Sequence, residues 1–149
     1  MNKIDVCIAS DDNYVKYAAT VMTSILENKA PDDEPVFHIL HGGLTEENID
    51  KLSRFKNIFF YKVDDDIFKP YLRDVKLSWP TSTLYRLKIA SILDLDRVIY
   101  LDCDVVAISS LNEFFNQDIE GYSLAVVPDV NYESYMKRLN IPLDKGYFY

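Results

Sequence analysis

The chain has 149 residues, of which 48% are hydrophobic, and its formal net charge at pH 7 is −8. This length and composition suit one folded domain, residues 1–149, with a buried core, and they exclude an intrinsically disordered chain. The excess of acidic residues excludes nucleic-acid binding through a basic surface, so an anionic ligand would need a metal ion or a local cluster of donors.

The sequence carries no targeting or membrane-spanning signal. No apolar run approaches the ~20 residues of a membrane span, and the N-terminus lacks the apolar core of a signal peptide. Two cysteines, Cys7 and Cys103, do not make a disulfide framework. These features predict a cytoplasmic protein with reduced thiols.

The first predicted unit is a strand over residues 4–10 followed by a helix over about 14–27. The helical apolar face consists of Val15, Ala18, Ala19, Met22, Ile25 and Leu26. Between the two elements stand Asp11, Asp12 and Asn13, any one of which could cap the helix. Three polar residues at the carboxyl end of a first strand also occupy the place where open α/β sheets bind ligands.

The next elements continue the α/β pattern. A charged, proline-bounded surface loop over 31–35 leads into a second strand over 36–41, and a helix capped by Thr45 runs to about 55. His38 and His41 face opposite sides of that strand and are expected to be structural. A third strand over 57–63 is followed by three aspartates, 64–66, which we interpret as a solvated loop because their charges repel one another.

A further helix opens at residues 81–83. Tyr85, Ile89, Ile92 and Leu93 share one of its faces, and its cations, Arg86 and Lys88, could serve surface solubility alone. After a fourth strand the pattern predicts a helical turn over 111–115, a fifth strand over 122–127, a short helix over 131–139 and the opening of another strand over 145–149.

The fourth strand, within residues 97–107, ends in a pair of acids. Asp102 and Asp104 stand one residue apart, so strand periodicity places both carboxylates on one side and Cys103 on the other. Two hard oxygen donors suit Mg²⁺ or Mn²⁺, which would offset the charge of a nucleotide diphosphate. The same acids could instead end a turn after a strand, and this short motif alone does not decide between the two.

Other catalytic signatures are absent from the sequence. There is no glycine-rich phosphate loop, and with 4 glycines in the chain a cradle of backbone amides is not expected. No Ser/His/Asp or Cys/His arrangement is supported by spacing. Phosphate binding would therefore run through a metal ion.

Three ordered segments together resemble glycosyltransferase family 8, the retaining galactosyltransferase- and glycogenin-like family with the GT-A fold. The segments are Ala-Ser-Asp-Asp-Asn-Tyr at 9–14, Tyr-Arg-Leu-Lys at 85–88 and Tyr-Leu-Asp-Cys-Asp at 100–104. The resemblance implies a Rossmann-like, mostly parallel sheet flanked by helices. It also implies transfer of a hexose, glucose or galactose, from a UDP-sugar to a saccharide.

Residue roles follow from the same resemblance. It implies that Asp11 and Asn13 contact uridine, that Tyr14 stacks on uracil and that Arg86 holds the donor sugar or diphosphate. Asp102 and Asp104 correspond to ligands of Mn²⁺ or Mg²⁺, with Cys103 between them among the nucleotide-sugar-binding positions. Asp129 corresponds to a polar residue of the sugar pocket. Mn²⁺ in such a site would act as a Lewis acid and stabilise the leaving UDP.

The family pattern extends past Tyr149, where an Asn-Ala-Gly strand, a polar residue beside the reacting carbon and a distant His and Lys are expected. We therefore expect this chain to hold the nucleotide-binding half of the domain, to contain no catalytic residue and to be inactive alone. The expected partners are a UDP-sugar and a saccharide or lipopolysaccharide-type acceptor, with no nucleic acid and with peripheral membrane association through the part beyond residue 149.

Two other functions are compatible with parts of the sequence. The 100–106 segment also fits the nucleophile strand of haloacid-dehalogenase phosphatases, with Asp102 attacking phosphate, although that strand usually opens the chain. A module that binds a nucleotide or a divalent ion without turnover is the second alternative. The phosphatase interpretation leaves Asp11, Asn13 and Tyr14 without a role.

Overall fold

A computed structural model describes residues 1–72 and 80–127, together with the separate residues 134, 137, 138 and 140. The chain divides into two compact units, Met1–Asn116 and Gln117–Tyr149. The described residues of the first unit contain four strands: β1 (Asn2–Ala9), β2 (Asp33–His41), β3 (Ile58–Lys62) and β4 (Ile99–Leu101). Its α-helices are α1 (Val15–Asn28), α2 (Glu46–Leu52), α3 (Lys69–Leu72), α4 (Ile89–Ile92) and α5 (Asn112–Phe115), and its two 3-10 helices are Asp65–Phe68 and Thr81–Lys88.

The four strands form one parallel sheet in the order β3-β2-β1-β4. Val6 pairs with Ile99 between β1 and β4, and Phe37 pairs with Ile58 between β2 and β3. Because the strands are parallel, their carboxyl ends lie at one edge of the sheet. The first and fourth strands are adjacent in this order, so the turns after β1 and β4 are neighbours.

Each face of the sheet carries its own apolar core, as period-two alternation requires. Ile4, Val6 and Ile8 of β1 belong to a buried cluster with α1 and α2. Cys7 and Ala9 belong to a second cluster that includes Tyr85 of the Thr81–Lys88 helix. The buried residues of α1 are Val15, Ala18, Val21, Met22 and Ile25. Leu26, which the sequence pattern placed on this face, is 37% exposed.

Strand β2 begins three residues earlier than predicted, within the proline-bounded segment expected to be a surface loop. Asp33 is buried, and the register pairs Asn2 with Asp33. Pro35 is tolerated at this position in β2. The backbone N–H of Phe37 points towards β3, so the nitrogen of Pro35, two residues earlier, points to the same side. The pairing with β3 begins only at Phe37 and Ile58, so the Pro35 nitrogen faces no β3 partner. No donor of the described sheet is lost there.

Two other boundaries differ from the predicted ones. Strand β4 is three residues long and ends at Leu101, so the acid pair lies in the turn that follows it. Residues 122–127 form no strand; Tyr122, Leu124 and Val127 are at least 70% exposed, so this segment gains too little apolar burial to favour a strand. The predicted strand at 145–149 and Asp129 lie outside the described residues. Of the helix predicted at 131–139, residues 134, 137 and 138 are described, and all three are helical.

No helix in the described ranges is both long enough and apolar enough to cross a bilayer.

Candidate functional site

The turn after β1 is organised by the Asp11 carboxylate. Its Oδ1 accepts hydrogen bonds from the backbone N–H groups of Asn13 at 2.9 Å and Tyr14 at 3.2 Å. These bonds satisfy donors at the start of α1 that have no partner within the helix. The N-cap residue of α1 is Tyr14, whose side chain makes no capping hydrogen bond, so none of the three polar residues considered as caps is the N-cap; Asp11 instead holds the turn before the helix. The other carboxylate oxygen of Asp11, Oδ2, accepts no hydrogen bond from the part of the chain that the structure describes.

Asp12 points to a different helix. Its Oδ1 accepts from the Thr45 backbone N–H and hydroxyl, both at 3.0 Å, and from the Asn48 amide at 2.7 Å. Asp12 therefore caps α2. The prediction that the side chain of Thr45 caps this helix is wrong, because that side chain makes no capping hydrogen bond. The Asn48 amide and the Thr45 N–H lower the pKa of Asp12. These bonds tie the turn after β1 to α2.

The two remaining turn residues are exposed. The Asn13 side chain is open to solvent, and Tyr14 is 43% exposed. The Tyr14 ring lies 5.5 Å from that of Tyr17, with 51° between the planes, so neither ring covers the other by stacking. Part of the Tyr14 ring surface is thus accessible to a planar ligand.

A cavity of about 370 Å³ opens beside this turn. Its walls are residues 11–13, Gly42 and Gly43 after β2, Asp65, and Tyr85. The Tyr85 hydroxyl donates a hydrogen bond to Asp65, and burial together with this carboxylate raises the pKa of Tyr85. The three aspartates at 64–66 are exposed to solvent, as predicted, but they do not form a plain loop: Asp64 caps a 3-10 helix that begins at Asp65, and the Asp65 carboxylate is bonded into the cavity wall.

A second cavity, of about 330 Å³, lies on the face of the sheet that His38 occupies. The ring nitrogens of His38 are hydrogen-bonded to Asp5 at 2.9 Å and to Tyr61 at 3.1 Å. His41 Nδ1 accepts from the Leu44 N–H, and burial lowers its pKa. Both histidines are structural, as predicted.

The acid pair follows β4 directly. Asp102 and Asp104 are exposed, while Cys103 is half-buried and donates from Sγ to the Ala9 carbonyl at 3.3 Å. Burial raises the pKa of the Cys103 thiol to about 11, and the charges of Asp102, Asp104 and Asp11 act in the same direction. Cys103 thus connects the turn after β4 to the end of β1.

Arg86 reaches the acid pair from the Thr81–Lys88 helix. Its Nη2 lies 2.7 Å from Asp102 Oδ1, and its guanidinium lies 4.7 Å from the centre of the Tyr100 ring. The Tyr100 hydroxyl donates to the same Asp102 oxygen at 2.9 Å, and burial raises the pKa of this tyrosine. Arg86 is therefore paired with a residue of the acid pair and is not merely a solubilising charge.

The carboxylates of Asp102 and Asp104 fit a metal ion that is coordinated partly by the protein and partly by a bound ligand. The described residues contain no group of three or more His, Cys, Asp or Glu side chains that could hold a metal. Asp104 has no hydrogen-bond or ion-pair partner among them, and Asp102 has one oxygen, Oδ2, without such a partner. Mg²⁺ and similar hard cations retain waters or bind phosphate oxygens when the protein supplies one or two carboxylates.

The structure brings most of the predicted site residues to one sheet edge. Asp11, Asn13 and Tyr14 follow β1, and Cys103 and the acid pair follow the adjacent β4. Sequence reasoning missed Asp65 and Tyr100 as members of the site. Period-two spacing could have found Tyr100, because it precedes Asp102 by two residues on a strand.

Comparison with solved structures identifies the class of protein to which this fold belongs. A solved structure of the galactosyltransferase LgtC in complex with donor and acceptor sugar analogues superposes on the chain with a TM-score of 0.84 and 28% identity. The match covers 98% of this chain and 54% of that one. The fold is accordingly that of the GT-A glycosyltransferases, as the resemblance implied.

The sequence comparison gives the family. The model of glycosyl transferase family 8 matches residues 5–145, so the chain belongs to this family. The lipopolysaccharide 1,2-glucosyltransferase of Escherichia coli is 34% identical over 128 residues, covering 81% of this chain and 37% of the relative. General stress protein A of Bacillus subtilis is 24% identical over 147 residues, covering 93% of this chain and 51% of the relative. The chain thus spans about half of these relatives or less.

Proposed function

We propose that the protein is a metal-dependent retaining glycosyltransferase that moves a hexose, glucose or galactose, from a UDP-sugar to a saccharide acceptor. One observation carries the proposal: Arg86 is paired with Asp102 of the acid pair, and Cys103, between the two acids, is hydrogen-bonded to Ala9 at the end of the strand that leads into the turn carrying Asp11, Asn13 and Tyr14. This places a cation and carboxylates beside a turn with an accessible aromatic ring, which suits a nucleotide diphosphate.

In this proposal the turn after β1 binds the nucleoside. Asp11 and Asn13 contact uridine, and the exposed ring of Tyr14 stacks on uracil. The cavity bounded by this turn, Asp65 and Tyr85 provides space beside these groups for part of the donor. The bonds from Asp11 to the start of α1 and from Asp12 to α2 support this role because they fix the turn before ligand binds.

Arg86 and the acid pair handle the diphosphate. Asp102 and Asp104 would hold Mn²⁺ or Mg²⁺, and Arg86 would contact the diphosphate or the donor sugar. When bound, the metal ion supplies Lewis acidity that stabilises UDP as a leaving group. The protein side chains bind and orient the donor, and Cys103 contributes its backbone position between the two carboxylates.

The acceptor and the cellular setting are also proposed. A saccharide or lipopolysaccharide-type acceptor is supported by the name of the Escherichia coli relative. Cytoplasmic location is supported by the two free cysteines. A single domain, a sugar-pocket role for Asp129 and peripheral membrane association beyond residue 149 remain predictions.

A turnover assay tests the function. The chain and a version extended beyond residue 149 are incubated with UDP-glucose or UDP-galactose, Mn²⁺ and saccharide acceptors, and UDP release is measured by chromatography. We expect release by the extended protein that depends on Mn²⁺ and is lost in Asp104→Asn. Hydrolysis of p-nitrophenyl phosphate instead would favour a phosphatase, and UDP-sugar binding with no turnover in either version would favour a non-catalytic module.

A further inference from the structure

Tyr100 contacts both charged groups of the proposed donor site through different parts of its side chain. Its hydroxyl donates to Asp102 Oδ1 at 2.9 Å, and its ring lies 4.7 Å below the Arg86 guanidinium. Arg86 itself donates to the same Asp102 oxygen at 2.7 Å. The three side chains therefore form a closed triangle of contacts at the end of β4.

The Arg86–Asp102 pair needs support to keep one geometry. The side chains are 38% and 47% exposed, respectively, and ion pairs in such surroundings are weak and readily exchange partners. Tyr100 is more firmly held: it is paired with Cys7 in the sheet and packs against the buried cluster beneath the Thr81–Lys88 helix. Through its contacts with Asp102 and Arg86, Tyr100 restricts the motion of these two exposed side chains.

The two donors converge on a single oxygen of Asp102. Both the Tyr100 hydroxyl and Arg86 bond Oδ1, and Oδ2 has no partner among the described residues. A carboxylate held in this way can offer Oδ2 to a divalent cation while Arg86 stays on the far oxygen. Without the hydroxyl, the carboxylate is free to rotate and present both oxygens to Arg86 as a bidentate pair, which excludes a cation from that group.

We propose that Tyr100 is a positioning residue of the donor site: its hydroxyl orients Asp102 so that Oδ2 is available to a divalent cation, and its ring holds Arg86 beside that group. This inference rests on the proposed function, since it concerns the use of Asp102 and Arg86 for a metal-bound diphosphate. Tyr100 itself does not touch the donor.

Tyr100→Phe tests the inference because it removes the hydroxyl and keeps the ring beneath Arg86. Tyr61→Phe is the matched control: it removes a hydroxyl that is hydrogen-bonded at 3.1 Å to His38, within the same sheet and outside the proposed site. Free Mn²⁺ is measured by its electron paramagnetic resonance signal during titration of each variant, with and without UDP. Thermal unfolding is followed in parallel.

We expect Tyr100→Phe to weaken Mn²⁺ binding about tenfold in both titrations, since a hydrogen bond to a charged group is lost. UDP affinity in EDTA should stay within about twofold of the wild type, because the metal-independent contacts remain and the phenylalanine ring still packs beneath Arg86. Tyr61→Phe should leave Mn²⁺ binding unchanged. This pattern separates positioning of a metal ligand from general loss of stability.

Each contrary result has its own meaning. Equal Mn²⁺ affinity in Tyr100→Phe and the wild type would overturn the inference, as would equal losses in both tyrosine variants or failure of the wild type to bind Mn²⁺. Mn²⁺ binding that UDP does not strengthen would contradict the proposed nucleotide-sugar function instead, and the Mn²⁺-only titrations of the two variants would then decide the role of Tyr100.

Discussion

The Asp12 carboxylate accepts a hydrogen bond from the Thr45 backbone N–H, 33 residues further along the chain. Asp12, one of three residues that could have capped α1, thus bonds to the start of α2 instead. This bond, with those from the Thr45 hydroxyl and the Asn48 amide, connects the proposed uridine-binding turn to α2. The position of the turn depends on α2 as well as on the strand before it.

Replacement of Asp12 should therefore destabilise the protein. We expect Asp12→Ala to lower Tm by about 3 °C, because three donors at the start of α2 lose their acceptor. Asp12→Asn should have a smaller effect, since the amide retains one acceptor oxygen. Asp32→Ala, which removes an exposed carboxylate with no side-chain partner in the described structure, serves as the control and should leave Tm unchanged. Equal melting of all four proteins would show that this cap is unimportant.

Metal dependence should reside in Asp104. We expect Mn²⁺ to strengthen UDP binding at least about tenfold and Asp104→Asn to abolish most of that gain, because an amide offers the ion a neutral oxygen in place of a charged one. Calorimetric titration of UDP with Mn²⁺ and with EDTA measures both effects. Asp94→Asn, at an exposed acid before β4, should behave as the wild type. Identical affinities in Mn²⁺ and EDTA would exclude the metal role.

Stacking on Tyr14 should not depend on metal. We expect Tyr14→Ala to weaken UDP binding about tenfold both in Mn²⁺ and in EDTA, since an aromatic platform contributes about 1–3 kcal/mol per base. Tyr14→Phe keeps the ring and should bind within about twofold of the wild type. A loss confined to the Mn²⁺ titration, or a loss as large in Tyr14→Phe, would argue against stacking.

The fold was predictable because its signals are local. Apolar runs broken by polar turns identified the strands of the sheet, and helical spacing identified α1. The start of β2 was predicted too late for a non-local reason. Asp33 is buried, and its carboxylate accepts hydrogen bonds from Ser110 and Asn112, which lie nearly 80 residues away. No pattern within residues 31–35 reveals those partners.

The site was predictable to the same extent. Asp11 and the acid pair stand directly after strands, and parallel topology brings strand ends together. Asp65 was missed because its role arises from the Tyr85 hydroxyl, which belongs to another helix. Like charges in sequence predict a solvated loop, and only the folded chain supplies the donor that holds one of them in place.

The buried Asp33 should make stability depend on acidity. Hydrogen bonds from the Ser110 hydroxyl and then the Asn112 amide lower its pKa from 3.8 to about 2. A carboxyl group with a lowered pKa in the folded state stabilises that state above its unfolded pKa. The contribution, about 2 kcal/mol, is lost as pH falls from about 4 to about 2.

Asp33→Asn isolates this contribution. We expect the variant to be less stable than the wild type by about 2 kcal/mol at pH 7, and the difference to shrink progressively below pH ~4. Urea unfolding at pH 7, 4, 3 and 2.5 measures it. Asp32→Asn, one residue earlier and exposed, should match the wild type at every pH. A difference that stays constant across this range would disprove the linkage.

Gly42 is required by the close approach of Tyr85. A methyl group at this position would overlap the Tyr85 hydroxyl and lie 3.3 Å from both carboxylate oxygens of Asp65. We expect Gly42→Ala to displace the tyrosine from its hydrogen bond and to reduce the free energy of unfolding by about 1–3 kcal/mol. The wall of the cavity beside the proposed uridine site would shift with it.

A double-mutant cycle checks that this overlap is the cause. Tyr85→Phe removes the hydroxyl that the new methyl group would meet, at a cost of about 1 kcal/mol for the lost hydrogen bond. Gly42→Ala combined with Tyr85→Phe should then be more stable than the sum of the single effects predicts, by at least about 1 kcal/mol. Urea unfolding of the four proteins gives the coupling. If the two effects simply add, the cost of an alanine at residue 42 does not come from the Tyr85 hydroxyl, and the close approach of the Asp65 carboxylate is the remaining contact that could cause it.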